Sequence, residues 1–135
     1  MPGSFLDSNV VLYLASGDAD KADRVEQLLR ASGSISVQVL NETAKVAHRK
    51  FGMSCAETRE FLTGLRALVA VHNVTVETHE IGLMLAERYR LALYDATIAA
   101  AALISGCDTL WSDDMHHGLL IDGRLRILNP FWSTA

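Results

Sequence analysis

Two aspartates stand side by side in TLWSDDMHHG, residues 109–118, directly after a run suited to a β-strand, and two adjacent histidines follow them. Neighbouring carboxylates repel unless water, a cation or a shared proton relieves them. Other acids occupy comparable places: Asp7 directly after Phe5-Leu6, Glu42 shortly after the Ile35–Val37 run, and Asp95 opening the alanine-rich stretch ATIAAAALI. In an open parallel sheet, ligands bind where strands end and helices begin, so acids at such junctions can converge although 35 or more residues separate Asp7, Glu42 and Asp95. Converged carboxylates need a cation. Oxygen-only ligation, with no cysteine and no HExxH-like spacing, points to Mg2+, with Mn2+ as a substitute, and away from zinc. Such ions activate a bound water and neutralise charge on a leaving oxygen, which makes phosphodiester hydrolysis the natural chemistry.

Each acid alone has a plainer reading. Asp7 could cap a helix beginning near Val10, and Asp95 could cap the alanine-rich helix. Glu42 is spaced for an ion pair with Lys45, and Asp113-Asp114 could form a wet turn. The four junctions together are harder to dismiss. Within the pair, strand alternation places Leu110, Ser112 and Asp114 on one side and Trp111 and Asp113 on the other, so Asp114 is the one expected to join Ser112 at the site.

At helical spacing Glu42, Lys45 and Arg49 share a stripe, with Lys50 nearer the opposite edge, so Lys45 and Arg49 are candidate contacts for a phosphate backbone. His116 and His117 are weaker candidates of the same kind, since histidines before a turn glycine are common at surfaces.

These residues need a scaffold that brings distant junctions together. Short β-type runs at Ser4–Leu6, Ile35–Val37, Val71–Val76, Thr109–Ser112 and Leu125–Leu128 alternate with segments of helical period. That alternation predicts an α/β fold: a parallel sheet with helices on both faces. Ser54 with Glu57 is a capping box ahead of Phe61, Leu62, Leu65 and Leu68, and Asp20–Ala31 forms another amphipathic helix ended by Gly33. The segment from Ala96 to Ile104 reads as a helix buried on most sides, with small side chains that let backbones approach.

The 135 residues, half of them hydrophobic, fit one domain, 1–135. Cys55 and Cys107 are 52 positions apart and show neither disulfide nor zinc spacing, which suits a reducing cytoplasm. No signal peptide or membrane span is evident, and none is expected. A net charge of −4 argues against a broad basic surface for nucleic acid, although acids that hold a metal lower the formal charge while the ion reverses the local field.

In order and spacing, LDSNVVLYL (6–14), ISVQVLNE (35–42), YDATIAAAAL (94–103), LWSDDMHHG (110–118) and ILNPF (127–131) resemble the PIN-domain family, in particular the VapC-type toxins of prokaryotic toxin–antitoxin pairs. The resemblance implies a three-layer α/β/α sandwich with a central, mostly parallel sheet of about five strands. It implies a Mg2+-dependent endoribonuclease, usually a homodimer, held inactive by a small antitoxin protein. Carried over by position, Asp7, Glu42, Asp95 and Asp114 form the catalytic, metal-binding set, supported by Asn9 and Ser112. Asp113 fills the variable place beside the last acid, as a supporting acid behind the metal-binding set or as a solvated turn residue.

Other classes fit less well. A receiver domain needs a late lysine, whereas the lysines here are Lys21, Lys45 and Lys50. A non-catalytic PIN-like binding module would be expected to have lost an acid. A metal-dependent phosphatase of small phosphate esters shares the metal logic and is separated from a ribonuclease only by assay.

Overall fold

A computed structural model of the chain describes residues 3–132. Strand β1 (Ser4–Leu6) leads through Asp7 into the short helix α1 (Ser8–Val11) and a 3-10 turn (Leu12–Ala15), after which helix α2 (Ala19–Arg30) returns the chain to β2 (Gly33–Ser36). Helices α3 (Val37–Phe51) and α4 (Cys55–Arg66) precede β3 (Ala70–His72); α5 (Val76–Tyr89) and α6 (Leu93–Ile104) precede β4 (Thr109–Trp111). A terminal hairpin, β5 (Leu120–Ile121) and β6 (Leu125–Leu128), completes the described chain.

The sheet has six strands in the order β3-β2-β1-β4-β6-β5. The pairings β1–β2, β1–β4, β2–β3 and β4–β6 are parallel, and only β5 runs antiparallel, against β6. This is the mostly parallel α/β architecture expected, with one more strand: β5 has two residues and no alternation of its own, and its ladder exists only because β6 turns back beside it. Phe5, Leu6, Ile35, Leu110 and Ile127 on the inner strands are fully buried, as strands covered on both faces must be.

At the ends of β2 and β3 a valine expected in the strand goes to the following helix for one reason. Val37 and Val76, read as strand residues, instead begin helices, because Ser36 accepts from the Val39 N–H and Thr75 accepts from the Thr78 N–H as helix caps. Cap chemistry overrides the β preference of a single valine. The Ser54–Glu57 capping box is present on α4 as expected.

Helix α6 is buried from Ala96 through Leu103 and packs closely on α5. At the crossing, a β-carbon added to Gly82 would lie 3.0 Å from Thr97 Oγ1 and 3.2 Å from its Cα, so glycine is what allows the two backbones this approach. No helix among the described residues is long and apolar enough to cross a membrane.

Candidate active site

The parallel order puts the carboxyl ends of β1 and β4 side by side, with Leu6 opposite Trp111. Asp7 follows β1 directly, and its N–H donates to the Trp111 carbonyl at 2.9 Å. Across β4, the Ser112 N–H donates to the Leu128 carbonyl at 3.0 Å, so the chain stays extended one residue beyond the strand before bending at Asp113. Asp95 enters from the first turn of α6. Carboxylate oxygens of Asp7, Asp95 and Asp114 all lie within 4.8 Å of one another.

Hydrogen bonds fix this arrangement. Asp7 is 2 % exposed; its Oδ1 accepts from the Ser8 N–H at 2.7 Å, which caps α1, and its Oδ2 accepts from Ser112 Oγ at 2.9 Å. Asp7 is thus both a cap and a member of the cluster. Ser112 Oγ also lies 3.1 Å from Asp114 Oδ1, so one hydroxyl spans two of the acids. The Asn9 amide lies 3.3 Å from Asp7 Oδ2 and 3.4 Å from Ser112 Oγ, while its carbonyl oxygen accepts from the Asp113 N–H at 3.3 Å. Asp95 makes no capping bond; the N-cap position of α6 is Ala92.

The electrostatic cost is concentrated on two groups. Burial, with the neighbouring charges of Asp114 and Asp95, pushes the Asp7 carboxyl from its ordinary 3.8 up to about 7 against the opposing pull of the Ser112 and Ser8 hydrogen bonds. Asp95 is raised to about 6 by partial burial and then by Asp114 and Glu42. The ion pairs among the described residues are Arg30–Glu26 and Arg88–Asp122, so no lysine or arginine neutralises the cluster.

The donor set fits a hard divalent cation. It is all oxygen, it carries excess negative charge, and its oxygens are close enough to be shared by one ion with bonds of about 2.1 Å, directly or through its waters.

Glu42 stands slightly apart from the three converged acids. Its carboxylate accepts from Ser8 Oγ at 3.1 Å and from Gln38 Nε2 at 2.6 Å, and Ser8 Oγ in turn lies 3.4 Å from Asp7 Oδ1. It is therefore one hydroxyl removed from Asp7, and the expected pairing with Lys45 does not form. Gln38 and Ser8 were not singled out from the sequence, although the i, i+4 spacing of Gln38 and Glu42 on α3 is a readable signal.

Asp113 points away from the cluster and accepts from the Tyr13 hydroxyl at 2.8 Å. His117 is committed to structure: its Nδ1 accepts from the Asn129 N–H at 2.9 Å, and its ring stacks on Trp132 at 4.1 Å. His116, Lys45 and Arg49 are exposed. Lys50, which helical spacing places near the opposite edge of α3, lines a hollow of about 320 Å3 together with Asn9 and Asp113.

An α/β sandwich with carboxylates gathered where its central parallel strands end defines an acid-site fold of the kind that holds a divalent ion. The PIN domain family model matches residues 4–118, and the chain belongs to that family. Among solved structures, a toxin–antitoxin complex from Klebsiella pneumoniae is similar at 22 % identity and a TM-score of 0.72, with 96 % of this chain and 98 % of that one covered. A DNA-bound VapBC from Salmonella typhimurium is similar at 20 % identity and a TM-score of 0.70, covering 96 % and 99 %. A sarcin-ricin loop cleaving VapC toxin from Mycobacterium tuberculosis is similar at 22 % identity and a TM-score of 0.67, covering 83 % and 90 %. Comparison with the curated proteins gives no significant match.

Proposed function

We propose that the protein is a Mg2+-dependent endoribonuclease and the toxin of a toxin–antitoxin pair. The observation that carries this reading is the convergence of Asp7, Asp95 and Asp114 within 4.8 Å without a cationic side chain to neutralise them. The similar toxin–antitoxin structures support the toxin assignment. Residues 3–132 contribute to one six-stranded sheet and its covering helices, which supports a single-domain enzyme. The free cysteines Cys55 and Cys107 suit the cytoplasm, where such a substrate would be met.

Asp7, Asp95 and Asp114 hold the ion, or Mn2+ in its place. When bound it supplies an activated water and charge neutralisation on the scissile phosphate. Ser112 orients Asp7 and Asp114 together through its single hydroxyl, and Asn9 braces both Asp7 and Ser112. Glu42, held by Ser8 and Gln38, would accept the proton released from the attacking water. Lys50 and Arg49 offer positive charge beside Val46 for the RNA backbone.

The antitoxin is expected to lay an amphipathic segment into the groove of about 510 Å3 between α3 and α4, lined by Leu40, Ala44 and Leu62 with Arg59 and Arg66 at its edge. Exposed apolar side chains on α5 and α6, Val76, Leu83, Met84, Leu93 and Tyr94, offer a face for a homodimer.

The deciding experiment incubates purified protein with structured and single-stranded RNAs, and separately with a small phosphate ester, in Mg2+ and in excess EDTA. Cleavage of RNA alone, lost in EDTA, is expected. Undiminished RNA cleavage in EDTA, or turnover of the ester in preference to RNA, overturns the reading.

A further inference from the structure

The hollow beside the acids has the makings of a nucleobase subsite. Its lining is apolar at Leu12, Val46 and Phe51, cationic at Lys50, and polar at Asn9, Tyr13, Ser16 and Asp113. Asn9 and Asp113 make it continuous with the acidic cluster, since the Asn9 side chain touches Asp7 and Ser112 on one side and the Asp113 backbone on the other. Phe51, the last residue of α3, is 40 % exposed although it is a large aromatic at the rim of a cleft. The chain leaves it at once, because Gly52 in a left-handed conformation (φ +63°) ends the helix. The Tyr13 ring is already engaged, edge-on to Phe131 at 4.8 Å and with Lys21 Nζ 4.9 Å above it, so Phe51 is the ring with a free face.

The floor discriminates. The Tyr13 hydroxyl binds one oxygen of Asp113, Oδ2, and leaves Oδ1 able to accept from a ligand. A fixed carboxylate selects bases that present N–H donors on the Watson–Crick edge. Guanine offers two adjacent ones, adenine and cytosine one amino group each, and uracil a single N–H flanked by carbonyl oxygens that a carboxylate repels. Arg49 and Lys50 in the last turn of α3 also complement the helix dipole, but that role alone does not require Lys50 to line the cleft.

We propose that this cleft holds an unstacked base of single-stranded RNA next to the scissile phosphate, with Phe51 stacking on it, Asp113 reading its N–H edge in favour of guanine, and Lys50 meeting the adjoining phosphate. The proposal rests on the nuclease reading for its substrate, and two arms keep the two separable. In the first, the chain with Mg2+ cuts RNAs randomised within a loop, and the bases flanking each cut are sequenced. Guanine is enriched and uracil depleted at one flanking position, Asp113→Asn relaxes that preference, and Phe51→Ala or Phe51→Leu lowers kcat/KM about tenfold or more, the range expected for one lost base stack.

The second arm needs no cleavage. Fluorescence anisotropy compares a uridine octamer with the same octamer carrying one guanosine, using the Asp95→Asn chain in Mg2+, with thermal melting as the check that each variant folds. The guanosine octamer binds about tenfold tighter, and Phe51→Leu or Asp113→Asn in the same background removes the difference. If the wild-type chain cuts no RNA yet this preference appears, the nuclease reading falls and the subsite stands. If it cuts RNA without flanking preference and binds both octamers equally, or if the variants keep the preference, the subsite is overturned, as expected were the cleft to seat a protein segment instead.

Discussion

Replacing Asp7 by asparagine should stabilise the metal-free protein at pH 8 while destroying activity. With its carboxyl raised from 3.8 to about 7, Asp7 holds a proton in the folded chain that the unfolded chain has already released, so stability falls as pH rises between those values. Above about 7 the accumulated penalty is on the order of 4 kcal/mol, and at pH 5 it is on the order of 1–2 kcal/mol. Asparagine escapes the penalty and retains an oxygen for the 2.7 Å bond from the Ser8 N–H. Its amide, however, would face the Asn9 amide, now 3.3 Å from Oδ2, and lose an acceptor for Ser112, at a cost of about 1–2 kcal/mol. The balance is a gain of about 2 kcal/mol at pH 8 that vanishes near pH 5, readable as an increase of about 1 M in the urea midpoint at the higher pH only. Saturating Mg2+ should erase the advantage, because the ion stabilises the wild-type acids. A loss of about 1 kcal/mol or more at pH 8 in chelator would show that Asp7 serves mainly as the cap of α1, and the repulsion argument would fail.

Asp114→Asn should lower RNA cleavage by about 100-fold or more and Asp113→Asn by about tenfold or less, measured on one RNA at saturating Mg2+; the reverse order refutes the assignment of the pair. Mg2+ binding followed by calorimetry at pH 6 in buffers of different ionisation enthalpy should release protons, because Asp7 and Asp95 are protonated in part at that pH, with carboxyls near 7 and 6; binding with no proton release contradicts the raised carboxyls. Gly82→Ala should cost about 1–3 kcal/mol in chemical unfolding, since its new methyl would crowd Thr97; an unchanged midpoint would mean that α5 and α6 can separate freely. His117→Ala should cost about 1 kcal/mol of stability through the lost Asn129 bond while leaving cleavage within about threefold of wild type, and a large loss of kcat with normal stability would return His117 to the chemistry.

Much of the scaffold was legible because short strands carry local signals, the apolar pair Phe5-Leu6 in β1 and the alternation Leu125-Arg126-Ile127 in β6, and both have the boundaries expected, Ser4–Leu6 and Leu125–Leu128. The misplaced ends of β2 and β3 were local contests in which Ser36 and Thr75 won the following valine for a helix. Within the site Asp114 joins Ser112 as expected, but the extended backbone, prolonged by the Ser112 N–H bond to Leu128, lasts only to Ser112 and the chain bends at Asp113, so alternation alone does not account for the choice. Glu42 was less legible. Its separation from the three converged acids goes with its bonds to Gln38 and Ser8, which leave no mark on sequence spacing. Lys50 was passed over because a helical wheel shows which residues share a stripe but not which neighbour covers it; α1 and the 3-10 turn, packed on α3, turn its side toward Asn9.

Strand order has a consequence for the protein while it is being made. β1 is synthesised first, yet one of its two neighbours, β4, comes only after all six helices, and β4 brings Asp114 to an Asp7 that left the ribosome 107 residues earlier. Until then one edge of β1 is unpaired and Asp7 lacks the Ser112 hydroxyl that holds it. A nascent chain that stalls before residue 112 therefore carries a sticky strand edge and an incomplete acid set, which makes it a client for chaperones and proteases before its site has been assembled.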